Sequence, residues 1–147
     1  MGIIQELEEE KRYIREYLRK WRKQKRGHNV FEQLKRRLKY SHKEEFLLFG
    51  DREDFIQWYE DQKKECSYCE IPENLILKTQ KLFNIRKKSI YLELDRKDNT
   101  KGYSRENIVL CCSRCNTIKS NFFTENEMKE IAIEYIKPRW ENYKRMA

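Results

Sequence analysis

Four of the five cysteines form two Cys-x-x-Cys pairs, Cys66/Cys69 and Cys112/Cys115. Each pair can present two thiolates to one metal from a single turn, and two pairs complete the closed tetrahedral set of a structural zinc site. A disulfide framework fits less well, because the number of cysteines is odd and nothing indicates export. A redox role for the first pair would leave the second pair unexplained. The spacing therefore predicts one structural Zn²⁺, with Cys111 as a buried bystander thiol.

The composition of the 147-residue chain explains why a metal would be needed. Charged residues make up 39% of the chain and hydrophobic residues 38%, which rules out a large apolar core, yet 13% aromatic residues indicate a chain that folds. A structural zinc contributes roughly 10 to 16 kcal/mol, against about 5 to 15 kcal/mol of total stability for a typical domain. Because no apolar run is long enough for a bilayer span or a signal peptide, we expect an intracellular protein, in the cytoplasm, nucleoid or nucleus, that is not secreted.

The net charge of +8 comes from one segment, since residues 11–39 hold thirteen Lys or Arg against Glu16 and Glu32. A near-neutral body with one concentrated basic segment is typical of proteins that bind nucleic acid. The alternative is an ordinary solvated helix face. The candidate phosphate contacts in this segment are Lys20, Arg22, Lys23, Lys25, Arg26, Lys35, Arg36, Arg37 and Lys39.

The first 64 residues have helical patterns. Apolar residues recur at helical spacing from Ile3 to Arg26, and Gly27 is positioned to end that helix. Asn29 followed by Glu32 indicates a capping box for a second helix. This second helix would bury Phe31, Leu34 and Leu38. Cap signals at Ser41/Glu44 and Asp51/Asp54 predict further helices over Phe46–Phe49 and from Phe55 onward.

The rest of the chain combines strands and helices. We expect a helix after Pro72 that reaches Leu82, a strand over residues 89–95 and a second strand over Asn107–Cys111. A helix would follow the second cysteine pair through Lys119, and a last helix, capped by Thr124 and Glu127, would end at Pro138. The predicted fold is α+β, with a basic helical region (1–64), a zinc-stapled ββα module (65–125) and a C-terminal helix (126–147).

The order of motifs from residue 66 to residue 120 resembles the zinc-containing HNH endonucleases. The first cysteine pair is followed by a strand that ends in Leu94-Asp95-Arg96, a glycine-containing loop, Asn107-Ile108-Val109, and finally Cys112-x-x-Cys115-Asn116-x-x-Lys119. In that family a strand, a loop, a strand and a helix form a ββα-metal nuclease site. The family usually has Asp-His at the end of the first strand. Here the pair is Asp95-Arg96, which is similar to a phage-like and mobile-element subgroup.

The resemblance implies cleavage of DNA, with RNA left open as a substrate, and it implies roles for single residues. Asp95 and Asn116 would bind a catalytic Mg²⁺ or Mn²⁺, Asn107 would fix the loop and Lys119 would contact a phosphate. Such oxygen ligands suit a hard cation that offsets charge on a phosphodiester. Taken singly, each residue is better explained as a turn former, a loop residue or a helix cap. Together, between two cysteine pairs, they favour a catalytic site. Symmetric cutting of two strands would require a homodimer.

The missing histidine leaves the general base open, because the only histidines, His28 and His42, lie far upstream. The guanidinium of Arg96 cannot accept the proton, although it could stabilise charge in the transition state. Three accounts remain. Asp98 serves as the base, a metal-bound water reacts without one, or the chain has lost catalysis and is a zinc-dependent nucleic-acid-binding protein, such as a regulator or an accessory subunit.

Overall fold

The structure is a computed structural model that describes residues 2–80 and 90–146, without the side chains of residues 21–24, 80 and 146. The order of elements confirms an α+β chain with a two-stranded sheet. The elements are α1 (Gly2–Gln24), α2 (Arg26–Tyr40), a 3₁₀ turn (Glu44–Phe46), α3 (Arg52–Asp61), α4 (Glu73–Gln80), β1 (Glu93–Arg96), β2 (Ile108–Cys111), α5 (Ser113–Lys119), α6 (Glu125–Ile131), a π-helical turn (Ala132–Ile136) and α7 (Lys137–Met146).

The chain divides into two compact units. The first comprises Met1–Glu44 and Gly50–Glu60, and the second comprises Glu45–Phe49 and Asp61–Ala147. The short segment Glu45–Phe49 therefore folds with the cysteine-containing half, although it precedes residue 64 in the sequence. None of the described helices combines the length and the apolarity that a bilayer crossing requires.

The first unit has an aromatic core between α2 and α3. The predicted inward stripe of α2 is confirmed, since Phe31, Leu34 and Leu38 are all buried. The Phe31 ring lies 5.2 Å from that of Phe55, which is itself fully buried and contacts the Trp58 ring at 5.6 Å. Such tilted aromatic pairs add to the free energy of area burial.

The predicted helix boundary at Gly27 is wrong. The chain breaks at Lys25, and α2 starts at Arg26 and includes Gly27. The predicted cap at Asn29 is also wrong, because Asn29 N already donates to the Lys25 carbonyl inside the helix. Gly27 lies in α2 for a packing reason, since a Cβ there would lie 3.1 Å from Cδ1 of Tyr59. A glycine thus allows α2 to approach the Tyr59 ring closely.

The predicted helix over Phe46–Phe49 is also wrong. Only a 3₁₀ turn, Glu44–Phe46, forms there, and the chain then runs extended. Leu48 N donates to the Tyr103 carbonyl at 2.9 Å, and Tyr103 N donates to the Phe46 carbonyl at 2.6 Å. Backbone pairing with a distant loop therefore overrides the local cap signal.

The sheet of the second unit consists of β1 and β2, which pair antiparallel with Asp95 opposite Val109. The second strand agrees with the prediction within one residue. The first is shorter than predicted and starts at Glu93, and residue 89 lies outside the described residues, as does the predicted helix end at Leu82. Helix α5 follows β2 directly, which completes the ββα module.

The C-terminal helix begins as predicted, with a complete capping box between Thr124 and Glu127. Its predicted end at Pro138 is wrong, because α7 continues to Met146. A π-helical turn precedes the proline, and Lys137 N donates to the carbonyl of Ala132, five residues earlier. This irregular turn places Pro138 at the start of a new helical segment, where the missing N–H is tolerated.

Candidate active site and metal centre

The four paired cysteines converge in one buried cluster. Their sulfur atoms all lie within 4.8 Å of one another, and Cys69 Sγ is 3.8 Å from Cys112 Sγ. A tetrahedral zinc with Zn–S bonds of about 2.3 Å separates its sulfurs by about 3.8 Å. A disulfide would need about 2.04 Å. The donors and their spacing therefore fit a zinc-type metal site, and Cys111 is buried outside this cluster.

The thiols of the cluster shift one another's pKa values in opposite directions. Hydrogen bonds, first of all from Cys112, hold the pKa of Cys66 far below its usual value. In contrast, the pKa values of Cys69 and Cys115 are raised, first of all by their hydrogen bonds to Cys112. One thiolate thus suppresses ionisation of its neighbours, and four thiolates together require a positive charge between them.

Backbone donors and a distant helix hold the two cysteine turns. Tyr68 N donates to Cys66 Sγ at 3.4 Å, and Cys115 N donates to Cys112 Sγ at 3.5 Å. The indole Nε1 of Trp140 on α7 donates to the Cys69 carbonyl at 3.0 Å. The cluster is therefore enclosed by α7 as well as by the two turns.

Asp95, the predicted ligand of a catalytic cation, is only 6% exposed. Its Oδ2 accepts a 2.5 Å hydrogen bond from the Tyr68 hydroxyl and lies 3.2 Å from Lys119 Nζ. Burial and the Asp95 carboxylate raise the pKa of Tyr68 far above its usual value, so Tyr68 is a neutral donor. Both of these contacts of Asp95 use one oxygen, Oδ2.

Lys119 does not lie where a phosphate contact was predicted. Its side chain is fully buried, and its Nζ donates to the Arg96 carbonyl at 2.8 Å besides pairing with Asp95. A buried ammonium needs such a partner, since an unpaired charge in the interior is costly. The predicted phosphate role is therefore replaced by an internal one, in which Lys119 joins α5 to β1.

Asn116 lies one helical turn before Lys119 and meets a residue that sequence reasoning missed. Its Nδ2 donates to Glu93 Oε2 at 3.0 Å. Glu93 and Asp95 are alternate residues of β1, so both carboxylates project from the same face of the strand. This alternation is a signal that the sequence already contains. For Tyr68, by contrast, the sequence gives no signal beyond its place inside the first cysteine pair.

Asn107 makes three hydrogen bonds to the loop that follows β1. Its Nδ2 donates to the carbonyls of Asp98, at 3.0 Å, and Gly102, at 2.8 Å, and its Oδ1 accepts from Asp98 N at 3.0 Å. The Asn107 side chain is buried. These bonds use both donors and the acceptor of the amide and set the backbone of the loop.

Asp98 stands in this loop with its carboxylate half exposed. Its Oδ1 accepts hydrogen bonds from the Thr100 hydroxyl, at 2.6 Å, and the Thr100 N–H, at 2.9 Å, and its Oδ2 lies 3.9 Å from Lys101 Nζ. The hydrogen bonds from Thr100 hold the pKa of Asp98 below its usual value. The side chain is ionised at neutral pH and is a weak base.

Arg96 points away from the Asp95 carboxylate. Its guanidinium lies 5.1 Å from the Tyr103 ring centre and 5.8 Å from that of Phe46, and its Nη1 donates to the Lys101 carbonyl at 3.1 Å. These contacts fix the loop after β1 through cation–π interactions and one hydrogen bond. Asp95 and Arg96, although adjacent, therefore occupy opposite faces of β1.

Most of the predicted phosphate-binding residues of the first unit are exposed. On α2 these are Lys35, Arg36, Arg37 and Lys39, and Lys20 and Lys25 are exposed as well. Arg26 is half-buried, and the side chains of Arg22 and Lys23 lie outside those described. Helix α2 thus has a buried apolar face and a basic outer face.

No family model matches the chain, and no curated protein matches it. Among solved structures the chain is similar to PacI, a rare-cutting HNH restriction endonuclease studied for its mechanism of DNA perturbation. The two are 28% identical with a TM-score of 0.63, over 80% of this chain and 81% of that chain. This similarity and the cysteine cluster confirm the resemblance to the zinc-containing HNH endonucleases.

Proposed function

We propose that the chain is a divalent-metal-dependent HNH endonuclease that hydrolyses phosphodiester bonds of DNA. The observation that carries the proposal is the packing of α5 on the carboxylates of β1, where Asn116 contacts Glu93 and Lys119 contacts Asp95, beside a four-cysteine cluster. The likeness to an HNH restriction endonuclease supports a function of the nuclease kind.

The four-cysteine cluster would hold a structural Zn²⁺. All four donors are cysteine sulfurs, so no coordination position is left for a substrate, as in other closed sites. The metal would join the first cysteine pair, which precedes β1, to the second pair, which lies where β2 meets α5. Its role would be stability, and the chemistry of cleavage would fall to oxygen donors such as Asp95 and Asn116.

A catalytic Mg²⁺ or Mn²⁺ would be held by Asp95 and Asn116, with Glu93 beside them. Carboxylate and amide oxygens are the donors that such hard cations prefer. Oδ1 of Asp95 is the oxygen that Tyr68 and Lys119 leave for this role. When bound, the cation would offset the charge on the phosphate and the leaving oxygen.

The other site residues would position the reacting groups. Asp98 would accept the proton of the attacking water, since its carboxylate is exposed and ionised. Asn107 would keep Asp98 in place through its bonds to the loop backbone. The contacts of Arg96 support a positioning role for the same loop, rather than direct contact with the scissile phosphate.

The basic outer face of α2 would supply affinity for DNA. Exposed Lys and Arg side chains on a helix mainly meet phosphates, which adds affinity without much sequence information. RNA has the same phosphate chemistry and is a comparison substrate for the assay. Cleavage of both strands at one symmetric site would need two copies of the chain.

The rival function is a nucleic-acid-binding protein that has lost catalysis on the same scaffold. One observation favours it: Lys119 pairs with Asp95 and offsets the charge that would attract a cation. Residues 66–120 also contain no histidine.

Plasmid nicking in metal-depleted buffer, with and without added Mg²⁺ or Mn²⁺, separates the two functions. The proposal predicts metal-dependent nicking that Asp95→Asn abolishes while zinc content and DNA retention in a gel-shift assay stay unchanged. Retention of DNA without nicking under any metal condition would support the rival. Loss of both binding and nicking in a zinc-loaded wild-type chain would refute both functions.

A further inference from the structure

Helix α1 displays a stripe of large apolar side chains to solvent. Ile3, Leu7, Ile14 and Leu18, here called the α1 stripe, lie at steps of four, seven and four residues and so share one helical face. They are 75%, 49%, 46% and 40% exposed, respectively. Every side chain from residue 2 to residue 20 is exposed. Within the described residues, the apolar face of this helix is therefore left in water.

A helix in this state needs a partner. Isolated helices are marginal in water, and most helical stability in proteins comes from packing an apolar face. The α1 sequence contains a glycine and β-branched and aromatic residues, and no alanine. The helix spans 23 residues, or about 35 Å at about 1.5 Å per residue. Such a length allows pairing along several turns.

The charge along α1 indicates which partner fits. Residues 2–10 contain four glutamates and no basic residue, a charge of −4, whereas residues 11–24 contain seven basic residues against Glu16, a charge of +6. The acidic first half also suits the positive end of the helix dipole. The dipole explains the order of the charges but does not explain the exposed α1 stripe.

We infer that α1 pairs with α1 of a second copy of this chain in antiparallel orientation. Antiparallel pairing sets the acidic half of each helix beside the basic half of the other, so the attraction occurs twice around a two-fold axis. Parallel pairing would place the two basic halves, each with a charge of +6, side by side and likewise the two acidic halves, each with a charge of −4. The α1 stripes of the two copies then cover each other, and Ile4, which is 72% exposed beside the stripe, joins their edge.

Other classes of occupant fit the helix less well. A nucleic-acid backbone would be repelled by the four glutamates and would leave the α1 stripe in water. An anionic membrane surface attracts helices whose polar face is basic throughout, and the first half of α1 is acidic. A second copy of the chain supplies both an apolar stripe and the opposite charge at each end.

Sedimentation equilibrium of the full zinc-loaded chain over a concentration series tests the inference. We expect a monomer–dimer equilibrium. Leu7→Gln/Ile14→Gln should raise the dissociation constant by about a hundredfold or more, because four large apolar side chains per dimer are lost from the interface. Tyr13→Gln is the control on the same helix, since Tyr13 is 70% exposed and lies off the stripe. A monomer at all concentrations, or a dimer unaffected by the stripe variant, overturns the inference.

Charge exchange tests the orientation. One variant makes both halves of α1 basic and carries Glu6→Lys/Glu9→Lys/Glu10→Lys. The other makes α1 acidic overall and carries Arg12→Glu/Arg15→Glu/Arg19→Glu. Each variant alone should be monomeric. The two variants mixed, and the chain that combines all six changes, should dimerise again.

Oxidative cross-linking gives an independent check, because Gly2→Cys should cross-link with Lys20→Cys of another chain and not with itself. Efficient self-cross-linking of Gly2→Cys would indicate a parallel pair and overturn the proposed geometry.

Discussion

The Tyr68 hydroxyl donates a 2.5 Å hydrogen bond to Oδ2 of Asp95, which lies 27 residues further along the chain. Tyr68 stands between the two cysteines of the first pair, and Asp95 stands on β1. This one bond therefore links the turn that carries the first cysteine pair to the Asp95 carboxylate, which pairs with Lys119 of α5. With Lys119 on the same oxygen, it fixes the orientation of Asp95, and neither contact uses Oδ1.

We predict that Lys119 and Asp95 contribute to stability as a unit. Lys119→Met or Asp95→Ala alone leaves one buried charge without its partner and should cost about 3 to 5 kcal/mol of unfolding free energy. The double variant Asp95→Ala/Lys119→Met should cost clearly less than the sum of the two single costs. Denaturant unfolding measures all three chains. Lys129→Met is the control, because it breaks an exposed pair with Glu125 and should cost at most about 0.5 kcal/mol. Additive costs would refute the coupling.

We predict one zinc per chain, lost on Cys112→Ser and retained on Cys111→Ser. The first substitution removes a ligand, whereas the second changes a buried thiol outside the cluster. Since structural zinc binding is worth roughly 10 to 16 kcal/mol, Cys112→Ser should unfold the second unit rather than only slow a reaction. Elemental analysis and circular dichroism measure the two effects. The opposite pattern of metal loss would show that the ligands are assigned wrongly.

Asp98 gives a prediction on pH dependence, which rests on the proposed activity. Its pKa is lowered because Thr100 hydrogen-bonds to the ionised form, so the basic form is present above that pKa and is lost as the pH falls through it. Thr100→Val removes the hydroxyl donor and should shift the acid limb of the pH–rate profile to higher pH. Thr100→Ser keeps the donor and should leave the limb in place. Asp98→Asn should slow cleavage by about 10² to 10⁴ at neutral pH. Equal rates for Asp98→Asn and wild type would exclude Asp98 as the base.

Neutralising the outer face of α2 should weaken binding to all DNA sequences alike. Replacing Lys35, Arg36, Arg37 and Lys39 with Gln removes up to four phosphate contacts, and each contact contributes about 0.9 to the slope of log K against log salt. Fluorescence anisotropy at several salt concentrations measures the slope. Lys144→Gln/Arg145→Gln, at exposed positions of α7, is the control with an unchanged slope. An unchanged slope in the α2 variant would mean that this face serves another partner.

Gly102→Ala should destabilise the loop after β1. A Cβ at this position would lie 2.5 Å from the Phe46 carbonyl oxygen, which is bound in the backbone pairing with Tyr103. We expect a loss of about 1 to 3 kcal/mol, as for other overpacked sites. Gly50→Ala is the control, because the nearest atom to its Cβ, Asp54 Oδ2, would be 3.8 Å away. Equal melting temperatures for the two variants would contradict the close approach.

Local spacing predicted those parts of the structure that depend on local chemistry. The four zinc-type ligands, the inward face of α2 and the Thr124 capping box all follow from the spacing of side chains within a turn or two. The predictions failed where a distant group decides the outcome. Gly27 lies inside a helix, where it gives room to the Tyr59 ring, and the segment after Phe46 is extended because Tyr103 pairs with its backbone.

The candidate site divides in the same way. The assignment of Asp95 and Asn116 came from the order of motifs and stays a prediction, whereas Glu93, the partner of Asn116, could have been found from its alternation with Asp95 on β1. The burial of Lys119 was not predictable, because the sequence does not show that a lysine at the end of a short helix will turn inward to meet a carboxylate and the Arg96 carbonyl. A basic residue in a conspicuous motif was therefore assigned to a phosphate when it serves the protein interior.

The hydrogen bond from Trp140 to the Cys69 carbonyl spans 71 residues and has a consequence for biosynthesis. The second cysteine pair lies only 25 residues (140 − 115) before Trp140, so both leave the ribosomal exit tunnel close to the end of synthesis. The four-sulfur set is therefore completed at nearly the same time as α7. We expect zinc to be captured by a nearly complete chain rather than early in synthesis.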